Sequence, residues 1–139
     1  GNKMTIKDLD NNIHNWHLTG NMSHGNTANK SSLHLRVRQI LTTNFPTLQI
    51  LEEVPIPLRK SETLYLDFYM PLIKTCVEVH GEQHYKFVAY YHNNQFGFIK
   101  QKKRDKDKKE WCETNGIKYI DLAFDKTDEE WEKQVKNEY

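Results

Sequence analysis

Asp67, Glu78 and His80 are ionisable residues set inside two apolar runs, Thr63–Met70 and Ile73–His80. Buried strands ordinarily carry no such groups. The Pro71-Leu72 break between the runs reads as the turn of an antiparallel strand pair. With that turn centred on Pro71 and Leu72, Asp67 stands opposite Cys76. Period-two alternation then puts Asp67, Cys76, Glu78 and His80 on one face. Asp67 and Glu78 become diagonal neighbours, roughly 7–8 Å apart at the backbone, a span that one bridging cation closes. Two carboxylates forced together among apolar groups are costly unless a cation neutralises them. An oxygen-only pair favours a hard ion such as Mg²⁺, with Mn²⁺ as a substitute and water or substrate phosphate filling the other positions. The competing reading is a half-exposed strand pair whose polar face is simply wet.

A second constellation lies downstream. Lys100–Lys109 holds seven Lys or Arg against two Asp, a local surplus of five positive charges on a chain of net charge +1. Such a run is a phosphate footprint or a solvated helix face. Its position beside the candidate site favours the footprint, with Lys100, Lys102, Lys103, Arg104 and Lys106 reaching toward phosphate. Asp105, Lys108 and Cys112 recur at helical spacing. With that face packed on the strand pair, Asp105 points toward Asp67 and His80.

The elements that must position these groups follow in order. Residues 1–30 are polar, and a short helix is expected around Thr5–Trp16; Asn21–Ser32 has loop composition. His14, His17 and His24 are read as incidental, because no Cys partners accompany them. Ser31 or Ser32 caps a helix running to about Asn44, with Leu33, Val37, Ile40 and Leu41 as its apolar stripe. His34 and Arg38 sit one turn apart at the stripe's edge. Leu48–Val54 reads as the first strand, with Pro55 and Pro57 keeping it from continuing. The aromatic run Tyr85–Phe98 suits core or flap packing, with base stacking as the alternative. Ile99–Asn115 is a helix ended by Gly116, Ile117–Leu122 a closing strand, and Thr127–Lys136 a final helix with an acidic face. Helices and strands in this order give an α/β class, a mixed sheet flanked by helices.

The Asp67…Glu78-Val79-His80 pattern resembles the PD-(D/E)xK, restriction-endonuclease-like, nuclease superfamily, with His80 where the family usually has Lys. The continuation through Gly81 to His84 is similar to the very-short-patch repair (Vsr-like) endonucleases and related phage homing endonucleases. Lys100, Arg104-Asp105, Trp111 and Gly116-Ile117 follow in the family's order, so the resemblance covers about residues 31–122. It implies a restriction-endonuclease-like fold and metal-dependent hydrolysis of double-stranded DNA. Asp67 and Glu78 would bind the metal, with the Val79 backbone carbonyl as a further ligand. His80 and His84 would orient or deprotonate water, or protonate the leaving oxygen, since imidazole titrates near neutrality. Asp105 would orient one histidine or the metal's water. The family's first helix contributes an acidic residue to the site, a place that His34 occupies here, and Arg38 joins the nucleic-acid contacts. The mismatch-repair members carry a structural zinc site, whereas this chain has only Cys76 and Cys112. That difference and His34 together favour a homing-type catalytic domain over a mismatch or junction nickase; a non-catalytic DNA-binding module on a degenerate nuclease fold is the alternative.

At 139 residues the chain suits a single core. The division expected is a polar, partly flexible arm over 1–30 and a nuclease domain over 31–139. Hydrophobic content of 37% and charged content of 28% fit a polar globule, and no apolar run is long enough to span a bilayer. Two separated cysteines indicate no disulfide framework, so a reducing cytoplasm is expected; by resemblance it is that of a bacterial or phage-infected cell. Gly1 at the start suggests an appended remnant or an excised domain. Monomer and dimer on DNA are both compatible with this sequence.

Overall fold

A computed structural model of the chain describes residues 3–18, 21–22 and 30–138. The chain is α/β. Strands β1 (Lys3–Lys7) and β2 (Ile13–His17) form a hairpin, followed by the two-residue strand β3 (Asn21–Met22). Helix α1 (Ser32–Asn44) leads into β4 (Leu51–Arg59), β5 (Glu62–Met70) and β6 (Thr75–His80). Helices α2 (Ala89–His92) and α3 (Gln95–Thr114), strand β7 (Lys118–Ala123) and helix α4 (Asp128–Glu138) complete the order. One five-stranded sheet runs β3-β4-β5-β6-β7, antiparallel except for the parallel β6–β7 pair.

Each face of this sheet has its own core. On one side α1 and α4 bury Val37, Leu41 and Trp131 against Phe68, Val77 and Leu122. On the other, α3 and the β1–β2 hairpin bury Trp111, Cys112 and Trp16 against Tyr69 and Cys76. Local chemistry sets the helix starts. Ser31 Oγ accepts from the His34 N–H at 3.0 Å, and Asn94 Oδ1 accepts from the Gly97 N–H at 3.0 Å. Thr127 and Glu130 form a reciprocal capping box at the head of α4. No helix among the described residues is long and apolar enough to cross a membrane.

The helix expected around Thr5–Trp16 is instead the β1–β2 hairpin, and the reason lies in its turn. Asp8 Oδ1 accepts from the N–H groups of Asp10 (2.8 Å) and Asn12 (2.9 Å), while Asn11 sits at φ 66°. An aspartate that bonds the backbone ahead of it, followed by an asparagine that tolerates the left-handed region, is turn chemistry strong enough to override weak helical spacing. The loop expected over Asn21–Ser32 includes β3, and its residues 23–29, with His24, lie outside the described residues.

Strand β4 also departs from expectation, running through both Pro55 and Pro57 to Arg59. It pairs with β3 only at Leu51 and Glu52, so beyond them its outer side is a sheet edge, where a missing N–H costs no ladder bond. The carbonyls there are satisfied by side chains: Trp16 Nε1 donates to Pro55 O at 2.9 Å and Trp111 Nε1 to Pro57 O at 3.1 Å. Those two bonds fasten the hairpin and α3 to the same edge.

Candidate active site

The β5–β6 link is Pro71–Lys74, a 3₁₀ turn closed by Lys74 at φ 46°. It is two residues longer than the turn assumed from sequence, so Tyr69, not Asp67, pairs with Cys76. A shift of two keeps the face parity. Asp67 therefore comes level with Glu78, directly opposite rather than diagonal.

The β5–β6 ladder ends at Phe68–Val77, where the two carboxylates take over its hydrogen bonds. Glu78 Oε2 accepts from the Asp67 N–H at 2.5 Å, and Asp67 Oδ2 accepts from the Val79 N–H at 3.0 Å. Each carboxylate is thus pinned by the other strand's backbone. Lys108 Nζ, reaching down from α3, donates to Glu78 Oε1 at 2.8 Å. Glu78 is buried, and its pKa is pushed up to about 7 by that burial and by Asp67, with Lys108 opposing the rise. Burial works against a charge on Lys108, but Glu78 and Asp67 outweigh it and lift the ammonium above its usual range.

His80 ends β6, and His84 ends the short turn Glu82–His84. Their rings stack in parallel with centroids 4.2 Å apart. His84 Nδ1 lies 2.8 Å from Asp105 Oδ2 on α3, and Gln101 Nε2 donates to Asp105 Oδ1 at 3.2 Å. His80 Nε2 lies 3.4 Å from the Tyr119 hydroxyl and its Nδ1 3.9 Å from Asp121. Burial and the neighbouring His84 lower the pKa of His80, against the pull of Asp105, Asp121 and Asp67. Burial would raise Asp105, but the hydrogen bond and charge of His84 hold it below the usual carboxylate range. Burial also drives the Tyr119 phenol well upward, so it stays a neutral donor.

A cleft of about 570 Å³ opens between β5 and α3, lined by Asp67, Gln101, Arg104, Asp105 and Lys108 with Glu53, Leu64 and Tyr65. Asp67 Oδ1 accepts no hydrogen bond from the described residues, which leaves it as a free oxygen donor at this cleft. Glu53, level with Asp67 on β4, is held at φ 55°, a costly backbone state for a side chain with a Cβ.

Asp67 fits a hard ion. Glu78 fits less well, because the Lys108 ammonium already occupies its Oε1 and the Asp67 N–H its Oε2. His80, His84 and Asp105 have one potential ligand atom each within 4.8 Å of one another. That mixed nitrogen and oxygen set suits Mn²⁺ or Zn²⁺ better than Mg²⁺.

The residues singled out from sequence divide into three groups. Asp67, Glu78, His80, His84 and Asp105 come together on the α3 side of the sheet. His34 and Arg38 do not join them, which corrects the expectation that helix α1 serves the same site. Both engage Glu52, a carboxylate that pairs with Phe68 and so points to the α1 side, out of phase with Asp67. His34 Nε2 lies 2.7 Å from Glu52 Oε1 and stacks on Phe68, while Arg38 reaches Glu52 through Nε (2.8 Å) and Nη2 (2.9 Å). Lys100, Lys102, Lys103, Arg104 and Lys106 are all exposed along α3. Lys102 donates to the His84 carbonyl (3.2 Å), Lys103 pairs with Asp107 (3.0 Å), and Arg104 lines the cleft.

Sequence reasoning missed Lys108 and Glu52. Lys108 was visible on the Asp105 face of its helix but was absorbed into the basic run. Glu52 carried the same signal as Asp67, a carboxylate inside an apolar strand.

Similarity to known sequences covers less than half of the chain. It is 38% identical over 61 residues to uncharacterized protein 307L of Invertebrate iridescent virus 6 and 34% identical over 61 residues to uncharacterized protein 033L of Invertebrate iridescent virus 3. It is 37% identical over 62 residues to uncharacterized protein 094L of Frog virus 3. Each match takes in 44% of this chain and between 31% and 40% of the relative's length. No described protein family matches the chain, and no solved structure does.

Proposed function

We propose that the chain is a divalent-metal-dependent endonuclease domain acting on double-stranded DNA, with a restriction-endonuclease-like arrangement of α1, β4–β6, α3 and β7. One observation carries the reading: β5 and β6 part at Asp67 and Glu78, beside a cleft that a histidine–aspartate pair flanks. Asp67 would hold the cation, with Asp105 and the Val79 carbonyl as further oxygen donors and Glu78 joining only by releasing Lys108. Such an ion supplies Lewis acidity and offsets charge at the scissile phosphate.

The chain's own groups do the rest. Asp105 fixes the His84 ring through Nδ1, which leaves Nε2 to take or deliver a proton. His80, kept neutral by burial, holds that ring by stacking and is itself within reach of Tyr119. Lys108 and Arg104 bring positive charge to the cleft where a phosphodiester must enter. The exposed lysines of α3 extend that field along a bound backbone.

The competing reading, a DNA-binding module with a vestigial site, draws on the closed Glu78–Lys108 pair. Incubation of supercoiled plasmid with the protein in Mg²⁺, Mn²⁺ or EDTA separates the two. Nicking or linearisation in either metal and none in EDTA is expected. Binding without cleavage in both metals would leave only the module.

A further inference from the structure

Large apolar side chains face water in one concentrated place outside the cleft. Tyr90 is 87% exposed, Tyr91 59%, Phe96 62% and Ile99 61%, all within α2 and the first turns of α3. Core or flap packing, the expectation from sequence, does not account for rings turned outward. Nor is this a loose segment. Beneath it His92 is buried, packed between Phe87 (5.8 Å) and Phe98 (5.4 Å), and its Nδ1 accepts from the Val88 N–H at 2.9 Å. The backbone of Gly97 crosses so close to His92 that a Cβ there would lie 2.2 Å from the His92 carbonyl oxygen. The rings therefore stand on a fixed base, with Tyr90 and Tyr91 edge-to-face at 5.1 Å.

The surroundings say what would cover them. Lys100 lies 4.8 Å above the Phe96 ring, and the basic run continues along the same helix toward Arg104 at the cleft. A purely apolar protein partner would meet this positive field at a desolvation cost. A nucleic acid matches both features, since bases stack on aromatic faces while phosphates meet the lysines. A closed duplex keeps its base faces in its own stack, so an unpaired stretch is needed to offer them.

We propose that the α2–α3 aromatic surface is a stacking platform for unpaired nucleotides. Where the nuclease reading above holds, it makes the substrate a DNA with a single-stranded segment beside the duplex being cut. Tyr90 and Tyr91 take the bases, and Lys100 takes a flanking phosphate.

The test is fluorescence anisotropy in EDTA, with a labelled single strand, its blunt duplex, and that duplex carrying a short gap. Wild type is compared with Tyr90→Ala/Tyr91→Ala and with Tyr90→Phe/Tyr91→Phe, after melting curves show that each is folded. Wild type is expected to favour the gapped DNA over the blunt duplex. The Ala pair is expected to lose roughly 5- to 150-fold in affinity for the single strand and the gapped DNA per stack removed. Its duplex affinity should barely change, and the Phe pair should bind as wild type does. An equal loss on all DNAs, no loss on any, or no binding of nucleic acid by wild type would overturn the platform. So would a shift from dimer to monomer in sedimentation with DNA binding unchanged, since the surface would then pair two copies. Preferential binding of gapped DNA by a protein that cuts nothing in Mg²⁺ or Mn²⁺ would support the platform and remove the nuclease reading.

Discussion

His34–Glu52 and His84–Asp105 are the same pair of groups at nearly the same distance, 2.7 and 2.8 Å, on opposite faces of one sheet. Their surroundings differ in what is left over. On the α1 side, Arg38 and His34 both engage Glu52, whose side chain is fully buried. On the α3 side, Asp105 is half-buried and borders a cleft that Asp67 also lines. A saturated carboxylate cluster can only hold structure, whereas one with spare acceptors and access can also bind and react. Residue type therefore does not separate scaffold from chemistry; unspent hydrogen-bonding capacity beside open space does.

Substitutions on the two faces test this contrast, beginning with the histidines of the α3 side. His84→Ala should slow single-turnover cleavage by about two to four orders of magnitude, the usual worth of a positioned acid or base, and His80→Ala by less, because it acts through the His84 ring. Rates are compared at equal folded concentration, set by circular dichroism. Should either variant cut at the wild-type rate, that ring is only packing.

Glu52→Gln should do the opposite. Removing the charge that faces half-buried Arg38 is expected to cost about 1.5–3 kcal/mol of stability in urea unfolding, the usual worth of hydrogen bonds to a charged group, with the cleavage rate per folded molecule unchanged. A large loss of rate without loss of stability would move Glu52 into the site and erase the contrast.

A smaller effect is expected from Lys102, Lys103 and Lys106. Replacing all of them with Gln should weaken binding to every DNA sequence alike and flatten the log–log salt dependence by up to roughly three units. An unchanged slope would make this run a solvated helix face.

The smallest effect concerns Asp8, which is saturated in the manner of Glu52. Burial would raise its pKa, but bonds from His14, Asn12 and Asp10 pull it down to about 2. A carboxylate whose folded pKa lies below its unfolded value stabilises the fold above the unfolded value and stops doing so as pH falls through the folded one. The melting-temperature gap between wild type and Asp8→Asn should therefore be constant near neutrality and shrink between about pH 4 and pH 2. A gap independent of pH would show that Asp8 holds the turn by shape alone.

Much of this arrangement was legible in the sequence. Ser31, the α1 stripe and the Gly116 stop mark helices α1 and α3 because capping and periodicity are local. Asp67, Glu78 and His80 stood out because charge inside a strand is expensive. The face they share survived an error in the turn, since two added residues preserve parity where one would have reversed it. What could not be read was set by tertiary contacts. The Trp16 and Trp111 indoles let β4 run through its prolines, and Glu52 draws His34 and Arg38 to the far side of the sheet. Helical spacing already put Lys108 on the Asp105 face, but only packing shows that its ammonium reaches Glu78.

The most direct test of the central claim is cleavage of plasmid in Mg²⁺ by Asp67→Asn beside wild type. The asparagine keeps an oxygen for the Val79 N–H, puts an NH₂ in place of the cleft-facing Oδ1, and removes the charge that faces Glu78. No cleavage above the EDTA background is expected, with a melting temperature equal to or above wild type because repulsion with Glu78 is relieved. Cleavage by Asp67→Asn at a rate near wild type would contradict that claim.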